Sequence, residues 1–140
     1  MSSHPLPTEI RLRVEAKVLE ISFDDGRQFQ FPAEFLRVFS PSAEVRGHAP
    51  GQWILQMGKQ EVGIQALDPV GRYAVKIGFD DGHDSGLYDW RYLYRLGEHQ
   101  DALWELYQDR LSRAGERTSW PDPFETLADA SLPAAPEYSK

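Results

Sequence analysis

The stretch Ile21-Ser22-Phe23-Asp24-Asp25-Gly26 recurs almost unchanged as Ile77-Gly78-Phe79-Asp80-Asp81-Gly82. Asp-Gly between apolar runs is a strong local signal for a β-hairpin, because a type I′ turn requires positive φ at both central residues. An aromatic-rich segment with helical spacing follows each copy, beginning near Pro32 and Trp90. The sequence therefore predicts an α+β domain of antiparallel β-hairpins with two or three helices, arranged as two hairpin-plus-helix units.

Alternating apolar and polar residues predict further strands outside the repeated phrase. They occur at residues 10–14, 53–55 and 62–67, and Gly58-Lys59 is expected to form the turn between the last two. Residues 100–113 form the clearest helix, with apolar side chains at three-to-four spacing.

The expected folded domain spans residues 10–115, between a flexible lead-in at residues 1–9 and a Pro/Ala-rich tail at residues 116–140. Trp120 and Phe124 within this tail are apolar enough to pack back on the domain or to dock a partner.

Composition excludes several classes of function. A length of 140 residues predicts one domain, and a net charge of −7 argues against binding to nucleic-acid backbones. The absence of cysteine excludes disulfides, thiolate catalysis and iron–sulfur ligation by this chain's own side chains. No signal-peptide pattern or apolar run of about 18 residues is present, so we expect a cytoplasmic protein that does not bind membranes.

The second copy of the repeat differs from the first in carrying His83 directly after its turn. The paired carboxylates could serve acid–base catalysis, but turn chemistry explains them better, since Asp25 in the first copy has no neighbouring histidine. We therefore expect no catalytic residues among them, and His83 becomes the position where a function could have been added.

A second candidate site combines a basic loop with aromatic side chains. Arg46-Gly47-His48 could hold an anion through its guanidinium group and exposed amides. The aromatic side chains of Tyr88, Trp90, Tyr92 and Tyr94 could form a wall for a ligand or cofactor, although such clusters are more often part of a core.

Three phrases together resemble a known family: residues 35–48, residues 68–73 and residues 79–88. They are similar to the bacterial proteins of the domain-of-unknown-function 971 group, which resemble the N-terminal domain of gamma-butyrobetaine hydroxylase. The resemblance covers roughly residues 14–97.

In the hydroxylases, this domain binds a structural zinc ion through three cysteines and one histidine. The resemblance implies that His83 matches the histidine ligand and that the cysteine loop falls near residues 40–45. This chain has Ser40, Ser42 and Val45 there. Hydroxyl groups and an apolar side chain do not replace thiolates for zinc, so we expect the zinc site to be lost.

The same resemblance implies that the loops of His48 and His83 are neighbours. With Asp81, Asp84 or Glu44, these imidazoles would give a nitrogen and oxygen ligand set suited to iron, zinc or nickel. The alternative is that His83 hydrogen-bonds a loop carbonyl while His48 is solvated.

We therefore expect a non-enzymatic binding or adaptor module whose functional face joins residues 46–48 to residues 82–84, with His83 as the anchor for a partner. Similar domains are fused to iron–sulfur carrier ATPases, which implies a role in metal-cluster or cofactor pathways with an oxygenase or an iron–sulfur carrier as partner. The alternatives are a metal-binding subunit or partner of an iron, 2-oxoglutarate-dependent oxygenase, and a homodimer joined through the aromatic helices. The chain ends before any catalytic oxygenase domain, so we expect no dioxygenase activity from it alone.

Overall fold

The computed structural model describes residues 4–47, 52–113 and 119–131, without the side chains of residues 129–131. These residues form eight strands and five helices, which confirms the α+β class with more helices than expected. The strands are β1 (Pro7–Arg13), β2 (Val18–Phe23), β3 (Gln28–Pro32), β4 (Trp53–Ile54), β5 (Ile64–Val70), β6 (Ala74–Phe79), β7 (Gly86–Asp89) and β8 (Ser119–Trp120). The helices are α1 (Ala33–Val38), α2 (Ala43–Arg46), α3 (Trp90–Glu98), α4 (Gln100–Ser112) and α5 (Pro123–Ser131). No helix in these ranges is long and apolar enough to cross a membrane.

The repeated phrase forms the centre of two equivalent units. Strands β1-β2-β3 form one antiparallel sheet and β5-β6-β7 form another, with the repeated phrase at the end of each middle strand. Helix α1 follows the first sheet and α3 follows the second. The sequence plan of a hairpin plus a helix is therefore confirmed, and the strands predicted at residues 10–14 and 62–67 pair with the hairpins as β1 and β5.

Each Asp-Asp-Gly turn is a three-residue loop rather than the expected type I′ turn. Gly26 has a φ of 90° and Gly82 a φ of 94°, whereas Lys17 is the only non-glycine residue with positive φ in the described ranges. Gly26 N donates to Phe23 O at 3.0 Å, and Phe23 N donates to Arg27 O at 2.8 Å. This is the pattern of a type I turn followed by a bulge at glycine, so only the glycine needs a left-handed conformation.

The two units share one apolar core. Side chains from the inner faces of both sheets and from α1, α3 and α4 form a single buried cluster. Helix α3 approaches the first sheet closely, since a Cβ at Gly97 would lie 2.4 Å from the Phe29 ring. The units therefore pack as one domain, and the turns at residues 24–26 and 80–82 are held by this packing.

The C-terminal segment belongs to the folded domain. Trp120 in β8 pairs with Trp53 in β4, and the side chain of Phe124 in α5 lies 6.5 Å from the Phe39 ring between centroids. Trp120 and Phe124 are 4% and 8% exposed. Strand β1 begins at Pro7, and burial of these aromatic rings holds the segment of residues 119–131 against the domain.

The strand at residues 53–54 has a different partner from the one predicted. It pairs with β8 and not with β5, so Gly58-Lys59 is not a hairpin turn between paired strands. Asp68 and Pro69 lie within β5, which continues to Val70 before the chain turns into β6.

Candidate functional site

His83 leaves the turn between β6 and β7 and reaches the loop that follows α1. Its side chain is 3% exposed, with Nε2 at 2.9 Å from Ser40 Oγ and Nδ1 at 3.0 Å from Glu44 Oε1. Ser40 is completely buried, whereas the Glu44 side chain is 68% exposed. His83 thus connects the second unit to the segment between α1 and α2.

The hydrogen bonds assign one protonation state to this imidazole. Ser40 Oγ accepts from Ser42 N at 3.2 Å, which leaves the Ser40 hydroxyl free to donate to His83 Nε2. Nδ1 then carries the proton and donates to the Glu44 carboxylate. Burial lowers the pKa of His83, and the charge of Arg37 lowers it further, against the opposing effect of Glu44. The ring is therefore neutral at pH 7.

Two further contacts close this region. Ser42 Oγ lies 2.7 Å from Ser85 Oγ and accepts from Glu44 N at 3.1 Å, which caps α2. Glycine at position 86 permits the close approach, because a Cβ there would lie 2.5 Å from Ser40 Oγ. The α1–α2 segment and the β6–β7 turn are consequently joined by hydrogen bonds between their side chains, from Ser40 and Glu44 to His83 and between Ser42 and Ser85.

The donor set at this place does not fit the zinc ion that the family resemblance implies. Ser40, Ser42 and His83 do meet in one cluster, but the two serines supply neutral hydroxyls that hydrogen-bond within the protein. The Val45 side chain is 1% exposed and offers no donor atom. The implied zinc site needs three thiolates beside the imidazole, and none is present because the chain has no cysteine. Here a hydrogen-bonded cluster connects the two loops.

The bonding order Ser40–His83–Glu44 is also that of a serine-hydrolase triad, with the hydroxyl at Nε2 and the carboxylate at Nδ1. Solvent accessibility distinguishes a catalytic triad from this structural cluster. Ser40 is 0% exposed, so a substrate carbonyl has no approach to its Oγ. The arrangement orients loops and does not present a nucleophile.

Asp81 is held by the turn and by two cations. Its Oδ1 accepts from His83 N at 3.0 Å, while its Oδ2 accepts from Arg37 Nε at 2.9 Å and Lys59 Nζ at 2.7 Å. Partial burial alone would raise the pKa of Asp81, but the hydrogen bonds from Lys59, the His83 amide and Arg37 bring this pKa well below its ordinary value. Asp25 makes the equivalent bond to Arg27 N at 3.0 Å, which supports the turn role of both aspartates.

The four predicted metal ligands are only partly brought together. The ring of His83 faces Ser40 and Glu44, and Asp81 contacts its backbone amide rather than its ring. Asp84 is exposed, and His48 lies outside the described residues. Within the described ranges, no group of three or more His, Asp or Glu side chains is positioned to hold a metal ion.

Of the four residues of the predicted aromatic wall, Tyr92 and Tyr94 line a surface cleft, whereas Tyr88 and Trp90 make hydrogen bonds within the domain. Tyr88 is completely buried and donates its hydroxyl to Leu36 O at 2.6 Å, while Trp90 Nε1 donates to Arg72 O at 2.8 Å. Both side chains hold parts of the domain together, as aromatic residues with one polar atom do in cores.

Arg46 lies beside a surface cleft of about 620 Å³. Its guanidinium carbon is 5.4 Å from the Trp53 ring centroid and 5.0 Å from that of Tyr92. Arg91 and Arg95 on α3 line the same cleft and were not identified from the sequence. Their spacing of four residues was the available signal, since residues four apart share a helix face.

The comparisons with known proteins agree with this fold. A family model described as "Gamma-butyrobetaine hydroxylase-like, N-terminal" matches residues 10–94, and the chain belongs to this family.

Solved structures extend the match beyond those residues. A solution NMR structure with 45% identity covers 86% of this chain and 93% of its own, with a TM-score of 0.71. A second one with 50% identity covers 86% and 89%, with a TM-score of 0.70. A crystal structure of a protein of unknown function from Acidithiobacillus ferrooxidans, in the domain-of-unknown-function 971 family, has 37% identity, covers 65% and 91%, and gives a TM-score of 0.55. No curated protein matches.

Proposed function

We propose that this chain is a non-enzymatic binding or adaptor module that serves a metal-cluster or cofactor pathway. Its partner is a protein, and an oxygenase or an iron–sulfur carrier fits the family relationship to a hydroxylase domain. The recognition surface is the junction face, which consists of α2 (Ala43–Arg46) and the turn at residues 82–85.

The observation that carries the proposal is the pair of hydrogen bonds that connects the two sides of the junction face. Glu44 and Ser42 on the α2 side contact His83 and Ser85 on the turn side, at 3.0 and 2.7 Å. A surface held in one geometry loses less conformational entropy when a partner binds. The buried His83 therefore supports the face from below, and the exposed Asp84 beside it is available for contact.

The side chains near this face whose residue types could act as a nucleophile, a base or an acid are engaged in structural contacts. Ser40 is buried, both ring nitrogens of His83 are hydrogen-bonded, and Asp81 is paired with Arg37 and Lys59. This arrangement supports binding over catalysis, because a general base or nucleophile must reach the reacting atom.

Site-specific photo-crosslinking tests the proposal. A photoreactive phenylalanine analogue would replace Asp84 in the full chain, and the matched control would replace Glu105 on the exposed side of α4. We expect a discrete crosslinked protein adduct from position 84 in cells that produce the chain, with none from position 105. Identical adduct patterns from both positions, or none from either, would refute the junction face as the recognition surface.

A further inference from the structure

The lining of the cleft beside the junction face has three arginines and two acidic residues. Arg46, Arg91 and Arg95 line it, and none of the three forms an ion pair within the described part of the chain. The two acidic residues of the lining are already engaged. Asp89 Oδ1 accepts from Tyr92 N at 2.7 Å, and Glu98 pairs with Arg27 at 3.4 Å.

Aromatic contacts hold the side chain of Arg46 at the cleft. Its guanidinium group is stacked between two aromatic rings, and its Nε is buried without a hydrogen-bond partner among the described residues. The stacked plane is also pre-oriented, so it loses little freedom when it binds a carboxylate.

The position of the other two arginines indicates the shape of the ligand. Arg91 and Arg95 are one turn apart on α3, a rise of about 6 Å along the helix. Alternate residues of an extended peptide are separated by about 6.6 Å, so two carboxylates at alternate positions match this spacing. Leu87, which is 46% exposed and lies in the cleft wall, offers an apolar contact between the charged groups.

From this geometry we propose that the cleft binds an acidic, extended segment of a protein partner, with alternate carboxylates on Arg91 and Arg95 and a further carboxylate at Arg46. The inference rests on the proposed function and deepens it, because the cleft continues the junction face: α2 ends at Arg46, and β7 runs from the turn to the cleft wall. The net charge of −7 disfavours indiscriminate attraction of large polyanions, so recognition depends on these local arginines.

Fluorescence anisotropy with a labelled peptide of alternating glutamate and serine tests the inference, with the glutamine version of the peptide as the neutral probe. We expect the acidic peptide to bind the full chain, and the double variant Arg91→Gln/Arg95→Gln to bind it at least about tenfold more weakly, since charge-assisted guanidinium–carboxylate bonds are strong. Arg46→Lys keeps the charge but loses the planar fork, so it should also weaken binding.

The matched control is Arg72→Gln/Arg110→Gln, which removes the same charge outside the cleft and should change affinity less than about twofold. Equal weakening by both double variants would overturn the inference, as would equal binding of the acidic and neutral peptides. Pyrophosphate serves as a competitor that has charge without an extended backbone. Displacement of the label by pyrophosphate as efficient as by unlabelled acidic peptide would overturn the peptide segment in favour of a small anion.

A crosslinking arm separates this inference from the proposed function. The photoreactive residue at position 84 is placed in the Arg91→Gln/Arg95→Gln background, and we expect the adduct to be reduced together with peptide binding. An undiminished adduct would overturn the cleft as part of the recognition surface and leave the junction face standing. Absence of the adduct in the unaltered chain would refute the proposed function, while the peptide measurements would still decide the chemistry of the cleft.

Discussion

Replacing His83 with alanine is the most direct test of the buried cluster. The change removes a ring that is 3% exposed, that accepts from Ser40, and that lies 6.1 Å from the Phe79 ring between centroids. Loss of the partner of a buried hydroxyl costs about 1–3 kcal/mol, and the cavity left by the ring adds to it. Glu44 is 68% exposed, so water replaces its lost contact at little cost.

We therefore expect His83→Ala to lower the free energy of unfolding by about 2–4 kcal/mol. Ser40→Ala should cost less, about 1–2 kcal/mol, because it removes one hydrogen bond and leaves the imidazole in place. Glu44→Ala should change stability by less than about 0.5 kcal/mol. Since Ser40 and His83 share one bond, the double variant should lose less than the sum of the two single losses.

Urea unfolding followed by tryptophan fluorescence measures all four variants, with His99→Ala as the control at a half-buried histidine outside the cluster. A loss below about 0.5 kcal/mol for His83→Ala, or a larger loss for Glu44→Ala than for Ser40→Ala, would contradict the structural role of the cluster. Such a result would return His83 to the role of a surface anchor for a partner.

Three further predictions concern the same fold. The pKa of His83 in the folded protein lies below its ordinary value of 6.5, so the imidazole binds a proton more readily in the unfolded chain. The stability that the neutral ring contributes is therefore complete above pH 6.5 and is lost as the pH falls through the folded pKa. His83→Gln should remove this component of the slope, and urea titrations at about pH 7.5 and pH 5 would detect it; an identical slope in the variant would contradict the buried neutral imidazole. Asp81→Asn should lower the free energy of unfolding by about 2 kcal/mol, because Arg37, at 9% side-chain exposure, loses its counter-charge. The equivalent Asp25→Asn should lower it less. Equal losses in thermal melts would show that the two carboxylates stabilise only their own turns. Trp120→Ala should cost about 3–5 kcal/mol in the same melts, and a change near zero would indicate that the C-terminal segment is not part of the core.

The repeated hairpins could be predicted because their signal is local. Three residues separate Phe23 from Arg27, and the glycine at the end of each loop has positive φ. The type of turn was missed because Asp-Gly is shared by type I′ turns and by type I turns with a following bulge. Loop length distinguishes the two, and the doubled aspartate was the sign of the longer loop.

The C-terminal segment contains a helix-start pattern that the sequence analysis overlooked and a strand pairing that sequence patterns do not reveal. Asp122-Pro123-Phe124-Glu125 has the features of a helix start, with a capping aspartate, proline at the first position and an early acidic residue. The structure uses them, since Asp122 Oδ1 accepts from Phe124 N at 2.8 Å. The pairing of β4 with β8 could not be predicted, because two-residue strands far apart in sequence meet only through burial of Trp53 and Trp120.

The candidate site depends on how the two units pack, which explains why the repeat suggested its position but not its chemistry. The residue after each glycine reaches the other unit: Arg27 contacts Tyr94 and Glu98 on α3, whereas His83 contacts Ser40 after α1.

The second aspartate of each turn also contacts the helix of the other unit. Tyr94 on α3 donates to Asp25 Oδ2, and Arg37 on α1 donates to Asp81 Oδ2. His83 is therefore the second member of a reciprocal pair of contacts, and it differs from Arg27 because its ring is buried and bonds the buried hydroxyl of Ser40, whereas Arg27 contacts an exposed helix surface. Because one turn is held through a buried neutral imidazole, the segment carrying α2 is fixed against the second sheet, and these hydrogen bonds hold the geometry of the junction face and of the arginine cleft beside it.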